Sequence, residues 1–203
     1  MQVAIIGLGR MGKNICLHLL EQGVSVIAYN RSRDDVDKLV AKGAIGAYSL
    51  TEIPEKFLVT GPAARQPQNQ PTKGHPAFGA PRLASPVIVL LYVTAGKVVD
   101  VVLERLVEVL PKGSIVVDGG NSFYKDSQRR YQELKTKGLN FLDMGTSGGL
   151  EGARSGACLM VGGDEEIYQQ VRPVLEKMAV KDGLDYFGPS GAGHFVKMVH
   201  NGI

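Results

Sequence analysis

Short apolar runs alternate with longer amphipathic stretches along most of the chain. The apolar runs predict strands buried on both faces, and the amphipathic stretches predict helices with one apolar face. This order predicts an α/β fold of the Rossmann type, a doubly wound parallel sheet between two layers of helices. The strands are predicted over residues 3–6, 24–29, 87–93, 114–118 and 141–144, and the helices over 11–22, 34–42, 97–110 and 126–137.

Two later apolar runs extend the predicted sheet. Residues 157–161 and 184–187 each have the pattern of a short strand, and an amphipathic stretch over 165–178 separates them. We therefore expect two extra strands at the edge of the sheet with a helix between them.

The segment 60–86 departs from this pattern. It holds six of the ten prolines and no acidic residue, and its three lysines and arginines equal the net charge of +3. A segment of this composition buries little apolar surface, so we expect a disordered or loosely held loop. It is either an insertion that the fold tolerates or a basic arm for a phosphorylated ligand or partner.

Composition and charge narrow the function classes. A net charge of +3 over 203 residues is too small to indicate a nucleic-acid or membrane partner. No apolar run approaches the roughly 20 residues of a membrane span, and the first residues have a strand pattern, not that of a signal peptide. Cys16 and Cys158 lack the spacing of a metal site, so we expect two reduced thiols in a cytoplasmic protein.

A glycine-rich hexapeptide follows the first predicted strand and opens the first predicted helix. It has the pattern G-x-G-x-x-G and consists of Gly7, Leu8, Gly9, Arg10, Met11 and Gly12. The first glycine permits a tight turn, the second lets backbone N–H groups approach a pyrophosphate, and the third lets the helix pack closely on the strand. In this context the motif predicts a dinucleotide site at the helix N-terminus.

The residues after the second predicted strand bear on the choice of dinucleotide. An NAD site usually has Asp or Glu here, which accepts hydrogen bonds from the 2′-hydroxyl of the adenosine ribose. This chain has Asn30, Arg31 and Ser32 instead. Because a cation and a hydroxyl suit a 2′-phosphate and a carboxylate would repel it, the sequence predicts NADP. If Arg31 is a solvated turn residue, the cofactor is NAD.

The end of the chain carries a polar stripe on an otherwise apolar helix. Lys197, His200 and Asn201 are spaced by three and four residues, which predicts that they share one face. A lysine beside an apolar face and a nicotinamide ring loses part of the stability of its charge. It can then act as a general base that takes a hydroxyl proton.

Two loops that follow predicted strands offer contacts for a substrate. Asn121 lies in the first loop, at the carboxyl end of a strand, where open α/β sheets bind ligands. The second loop contains Ser147, Gly148 and Gly149, which provide a hydroxyl and a close backbone approach. Each loop alone is more typical of an ordinary turn, so the prediction depends on their occurring together with the polar stripe.

Four motifs occur together: the hexapeptide at 7–12, DGGNS at 118–122, GTSGGLEGA at 145–153 and GAGHFVKMVHNGI at 191–203. In this combination the chain resembles the decarboxylating 6-phosphogluconate dehydrogenase family over its whole length except the segment 60–86. The resemblance implies oxidation of 6-phosphogluconate at C3 by NADP and loss of CO2 to give ribulose 5-phosphate. That reaction belongs to the pentose phosphate pathway and gluconate utilisation, and the full-length family implies a homodimer.

The resemblance also implies a role for each candidate residue. Lys197 is the general base, and Asn201 beside it is both catalytic and substrate-binding. The other implied substrate contacts are Asn121, Ser147, Gly148, Gly149 and His200. The implied cofactor contacts, besides the hexapeptide and Asn30, Arg31 and Ser32, are Val93, Thr94, Ala95 and Asn121.

The chain departs from this family in three respects. The family's acid right after Ile203 and its all-helical domain are missing from the sequence, the segment 60–86 is not a family feature, and Tyr92 replaces a usual methionine. We expect a dinucleotide-binding domain over 1–190 and a truncated interdomain helix from 191, with weak or no turnover. The alternatives are an NADP-binding module without turnover and a β-hydroxyacid dehydrogenase with another substrate, such as a 3-hydroxyisobutyrate dehydrogenase.

Overall fold

The computed structural model describes residues 1–59 and 86–202. The loop expected at 60–86 lies, apart from Pro86, outside the described residues. The strands are β1 (Gln2–Ile6), β2 (Ser25–Tyr29), β3 (Ile45–Ala47), β4 (Ile88–Leu91), β5 (Ile115–Asp118), β6 (Asn140–Ser147), β7 (Ala157–Gly163) and β8 (Ala179–Tyr186). The helices are α1 (Arg10–Glu21), α2 (Arg33–Val40), α3 (Glu52–Val59), α4 (Lys97–Val109), α5 (Tyr124–Thr136), α6 (Gly149–Ser155), α7 (Glu165–Leu175) and α8 (Ala192–Gly202).

One sheet contains all eight described strands, in the order β3-β2-β1-β4-β5-β6-β7-β8. Neighbouring strands are parallel except for β6 and β7, which are antiparallel. The strand order switches direction between β1 and β4, and such a switch opens a crevice at the carboxyl ends of the strands. The predicted Rossmann-type sheet is confirmed. Of the two extra strands, β8 forms the edge, whereas β7 lies one strand further in.

Several elements differ from the sequence prediction. The prediction did not include β3, α3 and α6, and of these β3 has three residues and α6 has seven, too few for a clear period. β6 runs on to Ser147 because Thr146 and Ser147 pair with β7, although such small and polar residues are typical of a loop. β8 begins at Ala179, well before the predicted start.

Alternate residues of β1 serve two separate hydrophobic cores. Val3 and Ile5 belong to a core with side chains of α1 and α7, and Ala4 and Ile6 belong to a core with side chains of α4 and α5. All four residues are at most 2% exposed. A strand covered on both faces is apolar at nearly every position, which is why the apolar runs located the central strands correctly.

Glycines allow α8 to lie directly on β6 and β7. A Cβ on Gly193 would lie against the carbonyl oxygen of Met160 and 2.7 Å from that of Asp143. A Cβ on Gly145 of β6 would lie against the Cβ of Lys197. The backbone of α8 therefore touches the sheet, and this contact fixes the position of Lys197 above β6.

Replacing Gly193 by alanine should lower the free energy of unfolding by about 1–3 kcal/mol, the usual range for overpacking. The new methyl group meets backbone atoms, which cannot rotate away as a side chain can. Chemical denaturation followed by circular dichroism measures the loss.

Gly202→Ala in the same helix is the matched control. A Cβ on Gly202 meets no described atom within 4 Å, and alanine favours a helix over glycine by roughly 0.5–1 kcal/mol. Equal stability losses in the two variants would contradict the close contact of α8 with the sheet.

Candidate functional site

Two adjoining clefts open at the carboxyl ends of β1, β4 and β5. The first, here the glycine-loop cleft, has a volume of about 460 Å³. Its lining includes Gly7, Gly9, Asn30, Arg31, Val93 and Thr94. The second, the lysine cleft, has a volume of about 370 Å³. Its lining includes Met11, Val93, Asn121, Gly149, Lys197 and Asn201.

Tyr92 and Val93 line both clefts and lie just beyond β4. The Tyr92 side chain is buried, and its ring packs so closely on Gly119 that a Cβ there would lie 2.6 Å from the ring. Its hydroxyl lies 3.4 Å from Oγ1 of Thr146 on β6. An extended ligand that occupies both clefts therefore passes over a floor made by the end of β4.

The glycine loop fits a phosphate-bearing ligand. Gly7 has a φ of +95°, and a Cβ on Gly12 would lie against the carbonyl oxygen of Gly7, so α1 packs tightly on β1. Gly9 precedes α1, and a Cβ on Gly9 would meet no described atom within 4 Å. The first turn of α1 has no acidic residue and no side-chain cap at Gly9 from the described part of the chain. Free N–H groups and the positive end of the helix dipole therefore form a cradle for an anion.

The chain after β2 brings two of its three predicted residues to the glycine-loop cleft. Asn30 and Arg31 line that cleft, whereas Ser32 precedes α2 and does not. The side-chain nitrogen of Asn30 donates to Oδ2 of Asp35 at 2.8 Å. A carboxylate that the sequence analysis did not consider thus lies beside the candidate ribose site.

Lys197 occupies the lysine cleft in a half-buried position. Its Nζ donates to Oγ of Ser147 and to Oδ1 of Asn201, each at 2.8 Å. Burial disfavours the ammonium form and lowers the pKa of Lys197 from its ordinary value. The lysine is therefore held in place by two acceptors and loses its proton more readily than a surface lysine.

The three residues of the predicted polar stripe on α8 do not all face the lysine cleft. A step of four residues turns a helix by about +40° and a step of three by about −60°. Asn201 and His200 therefore lie on opposite sides of Lys197. Asn201 lines the lysine cleft, whereas His200 is exposed and does not.

The structure brings only part of the predicted set into the clefts. Leu8 packs in the hydrophobic core, which leaves its backbone for a ligand. Ser147 reaches the lysine cleft through its hydrogen bond to Lys197. The remaining predicted residues that line neither cleft are Arg10, Gly12, Ser32, Ala95, Gly148 and His200.

A buried ionic network supports both loops at the clefts. The guanidinium of Arg130 is fully buried and donates to Oδ1 of Asp100 at 2.8 Å and to the carbonyl oxygen of Gly96 at 3.0 Å. It also lies 3.4 Å from Oδ2 of Asp118 and 3.1 Å from Oγ of Ser122. Arg130 thus joins the loop after β4 to the loop after β5.

Sequence reasoning missed Arg130, although the sequence contains a signal for it. Ser127, Arg130 and Leu134 are spaced by three and four residues and form the buried face of α5. An arginine on a buried helix face needs an anionic partner, and Asp118 ends an otherwise apolar strand. Pairing these two exceptions would have predicted the contact.

A second buried carboxylate anchors α8. Asp143 pairs with Asp118 in the sheet register and is fully buried. It accepts the backbone N–H of Gly191 at 2.6 Å and that of His194 at 2.9 Å. The ring Nδ1 of His194 lies 2.7 Å from Oγ of Ser127 on α5. These bonds hold the N-terminal end of the helix that carries Lys197.

Metal and membrane sites are not seen among the described residues. Residues 1–59 and 86–202 contain no cluster of three or more His, Cys, Asp or Glu side chains placed to hold a metal ion. In the same residues, no helix is both long and apolar enough to cross a membrane.

Comparison with known proteins shows the family of the chain. Residues 2–188 match the family described as the NAD binding domain of 6-phosphogluconate dehydrogenase. An NAD(+)-dependent decarboxylating 6-phosphogluconate dehydrogenase of Bacillus subtilis (strain 168) is 42% identical over 99% of this chain, which covers 39% of that protein. An NADP(+)-dependent one from the same strain is 39% identical over 100% of this chain, which covers 39% of that protein. The chain therefore spans about two fifths of the length of these relatives.

Solved structures of known dehydrogenases superimpose on the chain. A Plasmodium falciparum 6-phosphogluconate dehydrogenase superimposes with a TM-score of 0.80 at 31% identity, over 100% of this chain and 40% of that chain. A Mycobacterium tuberculosis 3-hydroxyisobutyrate dehydrogenase has a TM-score of 0.78 at 23% identity, over 98% of this chain and 58% of that chain. At that identity the second likeness shows a shared fold alone.

Replacing Arg130 by methionine should lower the free energy of unfolding by about 3–5 kcal/mol, because Asp118 is left buried without its cation. Arg129→Met is the matched control. Arg129 also pairs with Asp100 but is 44% exposed, so its loss should cost about 1 kcal/mol or less. Urea denaturation of both variants measures the difference, and similar losses would show that the buried network is not required.

Proposed function

The chain belongs to the family of NAD-binding domains of 6-phosphogluconate dehydrogenase, and on that premise we propose that it takes part in the NADP-dependent oxidative decarboxylation of 6-phosphogluconate. The products are ribulose 5-phosphate, CO2 and NADPH. The observation that carries the proposal is the Nζ of Lys197, held at 2.8 Å from Ser147 and Asn201 in a cleft continuous with the glycine loop. The relatives named above support the substrate.

Lys197 is the general base of the proposed reaction. Burial lowers the pKa of Lys197 from its ordinary value, so the side chain gives up its proton more readily than a surface lysine, and its amine form takes the proton of the C3 hydroxyl while the C3–H bond breaks. A dinucleotide held in the glycine-loop cleft would supply the acceptor for the hydride from C3. The resulting 3-keto acid loses C1 as CO2, and the electron pair of the broken C1–C2 bond forms a C2–C3 double bond while the C3 oxygen takes back the proton from Lys197, which gives an enediol. The enediol then gains a proton at the former C2, which becomes C1 of ribulose 5-phosphate, and loses the proton of the C3 hydroxyl. Asn201 keeps the amine of Lys197 in place during the proton transfer.

The substrate is proposed to bind along the lysine cleft. Asn121 and Gly149 line that cleft, and the hydroxyl of Ser147 reaches it beside Lys197. Roles for Gly148 and His200 rest on the family resemblance. The Arg130 network supports the loop that carries Asn121, so that the amide is held in place before substrate binds.

The dinucleotide is proposed to bind across the glycine-loop cleft with its pyrophosphate at the N-terminus of α1. Val93 and Thr94 then lie at the nicotinamide side and Asn30 and Arg31 at the adenosine side. Arg31 supplies a cation for the 2′-phosphate of NADP. NAD, which lacks that phosphate, is the second dinucleotide that this cleft accepts.

We also propose a cytoplasmic homodimer and a dinucleotide-binding domain over 1–190. The homodimer is supported by an apolar surface on α8, where Phe195, Met198 and Val199 are 43–48% exposed. The compartment is supported by the cysteines, since Cys16 and Cys158 are both free.

Turnover by this chain is expected to be weak, so the reaction is followed as a single turnover at high protein concentration. Replacing Lys197 by methionine should then lower the rate of NADPH formation from 6-phosphogluconate by about 10²–10⁴, the usual contribution of a general base. A single-turnover experiment that follows reduced-nicotinamide absorbance measures the rate. Lys181→Met removes an equal charge from an exposed position and should leave the rate unchanged. If 3-hydroxyisobutyrate reacts and 6-phosphogluconate does not, the proposed substrate is wrong. If the Lys197→Met variant reacts at the normal rate, Lys197 is not the general base.

Replacing Arg31 by glutamine should weaken NADP binding by roughly 1.5–3 kcal/mol, the range for a charge-assisted hydrogen bond. NAD binding should change little, because NAD has no 2′-phosphate. Calorimetric titration with both dinucleotides measures the two affinities. An equal loss for both would assign Arg31 to a contact that the two dinucleotides share.

A further inference from the structure

The Asn30 amide has a defined orientation at the adenosine side of the glycine-loop cleft. Its nitrogen donates to Oδ2 of Asp35 at 2.8 Å. An amide has donors only on nitrogen and acceptors only on oxygen. The bond to Asp35 uses one of the two N–H groups on that nitrogen, and the carbonyl oxygen remains available as an acceptor for a ligand. That oxygen can accept a hydrogen bond from a ribose 2′-hydroxyl, but it repels a 2′-phosphate.

The negative charge of Asp35 also favours a ribose 2′-hydroxyl over a 2′-phosphate. The carboxylate of Asp35 is bonded to Asn30, which lines the cleft. The nearby cation Lys38 offsets only part of that negative charge, because its Nζ lies 3.6 Å away and its side chain is mostly exposed. Asp34 and Asp35 both lie in the first turn of α2. Among the described residues, only Asp35 of the two is bonded to a residue that lines the cleft, so its charge offsets the positive end of that helix where it bears on the ligand.

Cations that line the cleft oppose these carboxylates. Arg31 is the one in the chain after β2, and Lys97 and Arg105 of α4 line the cleft as well. Arg33 instead stacks over the ring of Tyr48, with 5.5 Å between guanidinium carbon and ring centroid, and the hydroxyl of Tyr48 donates to Asp37. The adenosine side thus combines a phosphate-binding arginine with a carboxylate that orients an acceptor.

We propose that Asp35 is a specificity-determining residue, which acts through Asn30 to favour the 2′-hydroxyl of NAD and to oppose the 2′-phosphate that Arg31 attracts. The inference rests on the proposed binding of a dinucleotide in the glycine-loop cleft. Specificity is a difference between two affinities, and a repulsive group changes it as effectively as an attractive one. Asp35 therefore limits the preference for NADP and keeps NAD as an effective ligand.

The test is calorimetric titration of NAD and NADP into the unchanged protein and into Asp35→Asn, Asp35→Ala and Asp34→Asn at fixed ionic strength. Asp35→Asn removes the charge but keeps an acceptor for the Asn30 nitrogen. Asp35→Ala removes both. Asp34→Asn removes an equal charge one residue away, where no bond to Asn30 is formed among the described residues, and is the matched control. Circular dichroism checks that each variant folds.

The ratio of the NAD dissociation constant to the NADP dissociation constant should rise about 5- to 30-fold in Asp35→Asn, from Coulomb's law for a charge and a phosphate several ångströms apart in partly aqueous surroundings. Asp35→Ala should raise it at least as far, and Asp34→Asn by less than about twofold. An unchanged ratio in both Asp35 variants, or an equal rise in Asp34→Asn, overturns the role of Asp35 and leaves the cofactor site standing. If the unchanged protein binds neither dinucleotide, the proposed cofactor site fails, and this inference fails with it.

Discussion

Burial of the Asp118 carboxylate at the end of β5 obliges the protein to bring a cation to that point, because an unpaired charge in the interior costs several kcal/mol. Arg130 of α5 is that cation, and its remaining N–H groups reach Asp100 and the carbonyl oxygen of Gly96. Burial alone would raise the pKa of Asp100, but hydrogen bonds from Arg130 and Arg129 bring that pKa below its ordinary value. One ionic centre thus holds two loops that border both clefts.

The same constraint operates one strand further along. Asp143 lies beside Asp118 in the sheet register, and its charge is met by backbone N–H groups of Gly191 and His194 instead of a side-chain cation. A carboxylate at a helix N-terminus also interacts favourably with the helix dipole. Because Gly193 leaves no space between α8 and the sheet, α8 has little freedom to slide or tilt. The amine of Lys197 is therefore placed by the core, not by a flexible surface loop.

The two ends of the proposed dinucleotide site follow different physical rules. At the pyrophosphate end, the proposed contacts are backbone N–H groups of the glycine loop and α1, which do not distinguish NAD from NADP. At the adenosine end, the balance between Arg31 and the Asn30–Asp35 pair depends on side chains that are at least partly solvated. Charges in such a position are screened and contribute modest free energies. That end of the site can therefore change its preference with few substitutions, which is consistent with relatives named for both NAD(+) and NADP(+).

The amino-acid sequence by itself determined the class of fold and the main candidates for chemistry. Strands covered on both faces are apolar at most positions, so the central strands were visible as short apolar runs, interrupted where a buried carboxylate such as Asp118 or Asp143 has its own partners. The glycines at 7, 9 and 12 indicated a dinucleotide site because they follow a predicted strand and open a predicted helix, the context in which this spacing is specific. Lys197, His200 and Asn201 were predicted on one face from the helical period, but the period alone did not show that only Lys197 and Asn201 line the cleft.

Tertiary structure decided what depends on contacts between distant residues. The extension of β6 to Ser147 needs its partner β7, and α6 is too short to show a period of its own. The pairing of Arg130 with Asp118 and the capping of α8 by Asp143 join residues on different elements. The Asn30–Asp35 bond joins the end of a strand to the first turn of a helix and orients the Asn30 amide. The sequence does not show how that amide is oriented. Periodicity reports which face of an element is buried, but which polar groups meet within that interior depends on how the elements pack.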